Sequence, residues 1–522
     1  MAARPPIFLA DDFVEHVNVG WRIEPGVSDP ANPLIEPKYP WDSGCTFSHG
    51  TVMIDPFDGK WKMWYVSTPY ADADNSFDRR LTYAESEDGE HWVRPMVDVV
   101  PFRGPLGKTN ADFWKESAVP ASGKTTAPLC EKTNILLDHS SGGSCAFASV
   151  FVNADAPADE RYEMFLFRCP LLGGPRRDGV PYVQGLSPAA KEDVKWLCRY
   201  TSGDGIHWTA KDGPIRIATS DSCWIYKELS AVTGHRYVAH HKAELRGELP
   251  TGFTARIPPY EIACYTPEHN DNCRVQWRRT SDDGIHWSEK ELVLAPDPLD
   301  PPDTQFHELT VFPYSDRGLI GMVAAEHCNE QTLTQYFAAS TDGVNWWRPS
   351  RRRPCVPLAP LGEYGGGSVY GMRMMVEEGD RMHLYYCGLQ NEQNTRYGTR
   401  SGCHPFNGAM MRATWQTGRF WAAVTSRGGA SEGQLLTRPQ EGLEGKSLVV
   451  NAATSDEGKV EAELVDANGE AIVGYRRADC VPLRGDHRSA TMRWRGGSAC
   501  PIKSASVRVF FSGSRLYGFE WR

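Results

Sequence analysis

The sequence predicts an all-β fold: a five-bladed β-propeller over residues 1–437, followed by an antiparallel β-sandwich over residues 438–522. Three observations lead to this prediction. One short turn phrase recurs four times, pairs of alternating strands precede it at matching points, and the strand pattern changes after Pro439. The composition agrees, since 49 Gly, 37 Pro and 17 Trp among 522 residues are typical of a turn-rich β protein.

The repeated phrase reads Ser-x-Asp-Gly-x-x-Trp. In such a phrase Asp accepts hydrogen bonds from backbone N–H groups, Gly adopts a positive φ and Trp supplies an apolar plug. One turn recurring at irregular intervals indicates that a single supersecondary unit is reused around a larger architecture. We expect the four Asp residues to hold turns rather than to act in catalysis. The four copies are 86–92, 202–208, 281–287 and 340–346, with the aspartates at Asp88, Asp204, Asp283 and Asp342.

Five pairs of alternating segments predict five blades. The fifth unit has lost the turn phrase and ends instead in the segment 408–415. A sandwich alone would also give short strands, but it would not place one turn phrase at the same point of each unit. The pairs are 50–54 with 61–65, 148–152 with 161–166, 223–229 with 236–240, 309–312 with 319–323, and 368–372 with 382–386.

Six strictly alternating segments follow residue 438, with a hairpin turn predicted at 466–469. Their number and spacing predict a compact antiparallel sandwich. This part has few acids where a hydrolase would need them, so we expect it to serve in packing or in sugar binding. The segments are 447–452, 459–465, 471–475, 491–494, 506–511 and 516–521.

The net charge of −10 argues against nucleic acid or an anionic membrane as the main partner. No segment approaches the ~20 apolar residues of a membrane span. The 14 Cys residues are scattered singly, which favours reduced thiols over disulfides or a zinc site. The apolar run at 7–10 is too short for a signal peptide, so we expect a cytoplasmic protein. A homo-oligomer is compatible with the sequence.

In a propeller the innermost strand of each blade starts at one end of the central channel, so acids from different blades can meet there. Glycoside hydrolysis needs such a pair, one acid for the leaving oxygen and one carboxylate as base or nucleophile. Asp42, beside Trp41, is the first candidate for the carboxylate, and Asp221, near Trp224, is the second. Glu308 enters an apolar strand, where burial would raise its pKa and suit it to act as the general acid. Both residues also have a structural alternative to catalysis: Asp42 could cap a turn, and Glu308 could form an ion pair with a neighbouring Arg or His.

Polar and aromatic residues at the ends of the first and second strands are predicted to bind the sugar. The stretch Gly365–Gly367 would let the backbone approach a ligand closely. We predict no metal or other cofactor, although a structural cation in the channel is compatible with the pattern. A metal site formed by His240, His241, His307 and His327 is the alternative, without a recognised ligand spacing. The predicted sugar-binding residues are Trp41, His49, Arg168, Trp224, His241, His307, Glu326, Glu363 and Tyr364.

These patterns resemble the clan of five-bladed propeller glycoside hydrolases, and most closely the group described as glycosyl hydrolase family 32-like. The resemblance spans nearly the whole chain and implies a carbohydrate substrate. It is carried by Asp11-Asp12, by Met63-Trp64-Tyr65, by the unit 83–92, and by the tail segments 448–452 and 516–519. The turn phrases also resemble the Asp boxes of sialidases. The Asn-Asp-Pro and Arg-Asp-Pro signatures of the fructan enzymes are absent, and the second blade begins without an acid.

The leading interpretation is therefore an exo-acting glycoside hydrolase that releases a terminal sugar. A sialidase-like enzyme is the first alternative, and it would need a cluster of three arginines such as Arg168, Arg256 and Arg373. A non-catalytic carbohydrate-binding propeller is the second alternative. It would hold Asp42, Asp221 and Glu308 too far apart to act on one bond.

Overall fold

The computed structural model of the chain confirms the predicted all-β class. Its regular structure is almost entirely β-strand, with one short α-helix, α1 (Ser230–Thr233), among the described residues. In the part of the chain that the structure describes, none of the helical segments has the length and apolar character needed to cross a bilayer. The structure describes residues 4–42, 45–68, 79–103, 129–138, 144–169, 196–215, 217, 222–227, 230–245, 273–297, 299–301, 303–349, 353–392, 407–426 and 431–522.

Three four-stranded antiparallel sheets, here called sheets I, II and III, are each built in chain order. The chain starts with β1 (Phe13–Val17), β2 (Val19–Ile23) and β3 (Val27–Ser28). Sheet I contains β4 (Cys45–Ile54), β5 (Trp61–Thr68), β6 (Arg80–Ser86) and β9 (Ile135–Leu137), while β7 (Phe102–Arg103) pairs with β8 (Leu129–Cys130). Sheet II contains β10 (Ser144–Val152), β11 (Tyr162–Cys169), β12 (Trp196–Ser202) and β13 (Thr209–Ala210). Sheet III contains β14 (Cys223–Lys227), β15 (Tyr237–Leu245), β16 (Cys273–Ser281) and β17 (Glu291–Leu294).

Two further antiparallel groups, sheets IV and V, are joined by a short parallel contact between Leu333 and Ser368. Sheet IV contains β18 (Thr304–Ser315), β19 (Gly318–His327) and β20 (Thr332–Ser340). Sheet V contains β21 (Ser368–Gly371), β22 (Val376–Glu378), β23 (Arg381–Leu389) and β24 (Gly408–Gln416). Strand β3, from the N-terminal part of the chain, pairs with β24. All five predicted hairpins are therefore present.

The C-terminal strands form one eight-stranded sheet that also takes in β1 and β2. The strands are β25 (Trp421–Thr425), β26 (Glu432–Thr437), β27 (Gln440–Glu441), β28 (Leu448–Val465), β29 (Asp486–Thr491) and β30 (Ser504–Trp521). This sheet extends across the predicted boundary at residue 437, because β25 and β26 pair with β30. The prediction of a strand at 471–475 is wrong, since only Ala471 there forms an isolated bridge.

The first strands of successive sheets lie against one another in a closed sequence. Strand β4 contacts β10, β10 contacts β14, and β14 contacts β18. Sheet IV continues into sheet V, whose β21, β23 and β24 contact β4 again. The first strands of sheets I to IV thus adjoin in chain order, and sheet V adjoins the first strand of sheet I.

The four turn phrases have the hydrogen bonds that the sequence predicts. In the first copy Asp88 accepts from the backbone N–H groups of Glu90 and His91, both at 2.8 Å. The glycine that follows, Gly89, has φ 72°, and its carbonyl accepts from the Tyr385 hydroxyl of sheet V. In the second copy the carbonyl of the equivalent glycine accepts from Trp64 of sheet I. The first turn therefore links sheet I to sheet V, and the second links sheet II to sheet I.

Aromatic side chains fill the spaces between the sheets. Trp64, Trp224 and Trp421 are among the largest fully buried side chains. Burying such residues removes about 150–250 Å² of surface each from water, which makes them major contributors to stability. One cluster joins sheets IV and V to the C-terminal sheet, so the N-terminal and C-terminal parts share a core.

Candidate functional site

Glu308 lies in β18, the first strand of sheet IV, and its side chain is only 1% exposed. Its carboxylate oxygen Oε2 accepts a hydrogen bond from Trp224 Nε1 at 3.2 Å. The second oxygen, Oε1, lies 3.5 Å from His49 Nε2 and 4.0 Å from His307 Nδ1. A buried carboxylate is stable only where donors or charges surround it. Here the Trp224 N–H donates to one oxygen, and two imidazole rings lie near the other.

All five sheets contribute a side chain to this place. His49 stacks on Phe147 with ring centroids 3.8 Å apart, and Phe147 packs on Trp224 at 5.0 Å. Tyr370 of sheet V packs on the sheet IV residue His307, with ring centroids 5.7 Å apart. We call this set the central cluster. Its members are His49 of sheet I, Phe147 of sheet II, Trp224 of sheet III, His307 and Glu308 of sheet IV, and Tyr370 of sheet V.

Three of the first strands are irregular where they supply the cluster. The pairing register shifts between Phe47 and Thr51, between Ala146 and Ser149, and between Phe306 and Glu308. Bulges of this kind redirect side chains, and they allow the adjacent residues of β18 to approach the same place. Phe147 also has φ 51°, a strained conformation for an aromatic residue. Backbone strain beside buried polar groups is frequent at functional sites.

Two cations contact the histidines of the central cluster. Arg79 Nη1 lies 3.2 Å from His49 Nδ1, and Lys242 Nζ lies 3.2 Å from His307 Nε2. The Arg79 backbone is held at the start of β10, since its N–H donates to Ser144 Oγ at 3.1 Å. Each histidine therefore has a cation on one ring nitrogen and the Glu308 carboxylate near the other.

Arg373 follows β21 and is buried against the first strands of sheets I and II. It donates to Thr51 Oγ1 at 3.2 Å and to the Val150 carbonyl at 3.0 Å, and it stacks over Phe151 at 4.6 Å. Thr51 follows His49 by two residues in β4, so Arg373 contacts this strand just beyond the cluster. Burial lowers the pKa of Arg373 to about 10, so it remains a cation at neutral pH.

Asp42 is buried in a different environment from Glu308. Its Oδ1 accepts from the backbone N–H groups of Lys38 at 2.8 Å and Tyr39 at 2.6 Å, and its Oδ2 accepts from Arg94 at 2.6 Å. Burial raises the pKa of Asp42 to about 6, although Arg94 and the two backbone groups act in the opposite direction. None of the hydrogen bonds or ion pairs of Asp42 among the described residues joins it to the central cluster.

The predicted stacking platform Trp41 is a core residue in the structure. It is 2% exposed, stacks on Tyr39 at 4.8 Å, and donates to Asn134 Oδ1 at 2.7 Å. Its ring is thus packed among neighbouring side chains rather than presented to a ligand. The other predicted aromatic, Trp224, belongs to the central cluster.

Arg168 and His241 are buried outside the central cluster. Arg168 donates to the Asp138 carbonyl at 3.1 Å and lies against Cys145. His241 pairs in register with Cys223 and Trp277 across its two neighbouring strands. Asp221, the second predicted carboxylate, lies outside the described residues.

Three further predicted residues have separate surroundings. Glu326 is buried and forms an ion pair with Arg274. Glu363 lies in the loop before β21, where its backbone takes part in a turn. Tyr364 is partly buried, and burial together with the neighbouring Glu36 raises its pKa.

The metal alternative finds no support in the described part of the chain. No group of three or more His, Cys, Asp or Glu residues there has the geometry of a metal site. His240 and His241 are adjacent on one strand and face opposite sides of the sheet. His327 contacts the Tyr336 hydroxyl at 3.2 Å instead.

Sequence reasoning identified four members of the central cluster and missed Phe147 and Tyr370. Arg79 was missed as well, since it stands outside the five predicted strand pairs. Lys242 follows the two histidines predicted at a strand end, but no signal linked it to His307. A contact that depends on a register shift leaves no mark in a period-two pattern.

No protein-family model matches the chain, and no curated protein sequence matches it. Solved structures similar to the chain include a complex of BT0996 with RGII, with 13% identity, a TM-score of 0.46, and coverage of 75% of this protein and 92% of that one. Another is an N-acetylgalactosamine deacetylase from F. plautii in complex with blood group B trisaccharide (16%, TM-score 0.43, coverage 76% and 95%). A third is a glycosyl hydrolase from Bacteroides ovatus (15%, TM-score 0.42, coverage 76% and 94%). At this degree of similarity the function has to be inferred from the chain's own residues.

Proposed function

We propose that sheets I to V are the five blades of a β-propeller and that the C-terminal sheet folds over as an accessory sandwich. Two observations support this arrangement. The first strands adjoin in a closed sequence, and the turn of sheet I contacts sheet V through Tyr385 and Gly89. The pairing of β3 with β24 would then close the ring by joining an N-terminal strand to the last blade.

We further propose that the protein is a glycoside hydrolase acting at the central cluster. The observation that carries this proposal is Glu308, a buried carboxylate to which all five sheets bring aromatic rings and N–H donors. Aromatic faces stack on sugar rings, and polar groups at strand ends bind hydroxyls. In the proposed propeller the cluster would lie where five first strands meet around one channel, and such a geometry suits a terminal sugar and exo-action.

Hydrolysis of a glycosidic bond needs a second carboxyl group beside Glu308. The Trp224 N–H that donates to Glu308 stabilises its ionised form, which suits the base or nucleophile rather than the general acid expected from sequence. The acid is then Asp42 or Asp221. Both are aspartates that the sequence predicts near the start of a first strand, and substitution separates them.

The test is release of sugar from a panel of aryl glycosides and of plant and microbial polysaccharides. We expect wild-type protein to release sugar from at least one substrate, and Glu308→Gln to lower kcat by about 10²–10⁴-fold. Glutamine keeps the shape and can still accept from Trp224, so folding should be preserved. Asp42→Asn and Asp221→Asn are then compared on aryl glycosides with good and with poor leaving groups. The variant that loses activity only on the poor leaving groups has lost the general acid.

Glu163→Gln is the matched control, because Glu163 is also a buried carboxylate. It accepts from Lys227 at 3.1 Å and from Arg199 at 2.6 Å in sheet II, away from the cluster. We expect it to lower stability while kcat stays close to that of wild type. No release from any substrate by wild-type protein would refute the hydrolase proposal, and full activity in Glu308→Gln would refute the role of Glu308.

A further inference from the structure

We propose that Arg79 and Lys242 are positioning residues that hold His49 and His307 as neutral tautomers, each presenting an N–H to Glu308. The catalytic meaning of this arrangement rests on the proposed function. The arrangement itself is a property of the folded protein and can be measured without a substrate.

The two cations determine which ring nitrogen of each histidine can have a proton. Guanidinium and ammonium groups carry only hydrogen-bond donors. Arg79 lies 3.2 Å from His49 Nδ1, and Lys242 lies 3.2 Å from His307 Nε2. A ring nitrogen can accept from such a donor only if it has no proton of its own. His49 therefore has a bare Nδ1, and His307 a bare Nε2.

The single proton of each ring then lies on the nitrogen that faces Glu308. A neutral imidazole with one bare nitrogen has its proton on the other, which is Nε2 in His49 and Nδ1 in His307. These two nitrogens lie 3.5 and 4.0 Å from the same oxygen of Glu308. The register shift at residue 307 makes this possible, since adjacent residues of a regular strand would face opposite sides.

The two cations also oppose protonation of the two rings. Protonating either ring would place a second positive charge about 3 Å from a cation that already occupies the ring nitrogen, which is unfavourable in a buried site. Among the contacts that the described residues make, each histidine also lies beside the Glu308 carboxylate and the aromatic rings of the cluster. Both rings should accordingly stay neutral through the range in which an ordinary histidine titrates.

The consequence is a carboxylate that accepts a hydrogen bond from Trp224 and faces two imidazole N–H groups, without being neutralised by an imidazolium. Such a carboxylate keeps its negative charge and its nucleophilicity or basicity. Arg79 and Lys242 would thus act on the reaction only through the histidines, without touching the sugar.

The experiment is nitrogen NMR of the full-length protein labelled with ¹⁵N in histidine, recorded from pH 5 to 8. Protonated and bare ring nitrogens have distinct chemical shifts. We expect His49 and His307, assigned by His→Gln substitution, to show one bare nitrogen each throughout, Nδ1 in the first and Nε2 in the second. The reverse tautomers, or doubly protonated rings at pH 7, would overturn the proposal.

Substitution of each cation provides the second readout. Arg79→Met should let His49 alone titrate in this range, and Lys242→Met should do the same for His307. Lys227→Met is the matched control, since Lys227 is also a buried lysine on an adjoining strand but is paired with Glu163. In Lys227→Met both histidine rings should stay neutral. If both rings titrate in this control, the effect does not come from the contacts of Arg79 and Lys242 with the histidines.

On any substrate that wild-type protein cleaves, we expect Arg79→Met and Lys242→Met to lower kcat about tenfold at pH 5 and less at pH 8, with KM nearly unchanged. A uniform loss at all pH values would refute the positioning role. Failure to find a substrate would count against the proposed function alone, because the NMR result does not depend on one.

Discussion

His240 and His241 should make the protein sensitive to mild acid. Both side chains are buried in β15, and none of their ring nitrogens has a hydrogen-bond partner among the described residues. Burial lowers the pKa of each to about 3, with smaller lowering effects from Arg278 near His240 and from Arg279 and Lys290 near His241. In the unfolded chain both should titrate near a pKa of about 6.5.

The sign follows from proton uptake. Below about pH 6.5 both histidines bind protons in the unfolded state but remain unprotonated in the folded state. The free energy of unfolding therefore falls as the pH is lowered toward 3. Between pH 7 and 5 each histidine contributes a loss of about 2 kcal/mol, so that the pair contributes about 4 kcal/mol. This is a large part of the roughly 5–15 kcal/mol that stabilises a typical domain.

The assay is urea denaturation followed by tryptophan fluorescence at pH 7 and pH 5. A variant with His240→Leu and His241→Leu serves as the comparison, because other groups that titrate in this range, such as Asp42, contribute equally to both proteins. The loss between pH 7 and 5 should be about 4 kcal/mol smaller in the variant. Equal losses in the two proteins would refute the reasoning.

Two further predictions concern stability. Gly50→Ala should prevent stable folding or lower the unfolding temperature sharply, because an added Cβ would lie 1.8 Å from the Trp64 carbonyl oxygen. Gly59→Ala, where a Cβ meets nothing within 4 Å but φ is 76°, should cost only about 1 kcal/mol, and an equal effect of the two would contradict the account. Arg94→Met should destabilise the protein by about 3–5 kcal/mol at pH 7 by leaving Asp42 buried without its cation, and by less at pH 5, as denaturation at both values would show. An equal loss at both pH values would exclude Asp42 as the cause.

The strands and turns could be predicted because their signals are local. Alternation marked both strands of all five hairpins, and the Asp-Gly pair marked turns whose hydrogen bonds involve residues only two or three positions apart. The segment 471–475 alternates in the same way without being a strand. Alternation indicates which side chains could share a face, but strand formation also needs a neighbour with which to pair.

The candidate site could be predicted only in part, because it depends on contacts between distant residues. Glu308 stood out as a charge in an apolar strand, and its neighbours His49 and Trp224 lie at the starts of other strands. Trp41 looked equivalent to Trp224 in sequence, yet it stacks on Tyr39 in the core. The partners of His49 and His307 depend on register shifts, which a period-two pattern cannot show.

The central claim is that Glu308 acts as an ionised carboxylate on a sugar. Its most direct test is chemical rescue of Glu308→Ala with azide, using an aryl glycoside that wild-type protein cleaves. Azide would replace the missing carboxylate at the anomeric carbon, with departure of the aryl oxide, so we predict restored aryl release and a glycosyl azide product. Absence of rescue in Glu308→Ala, together with rescue of Asp42→Ala or Asp221→Ala under the same conditions, would contradict the account.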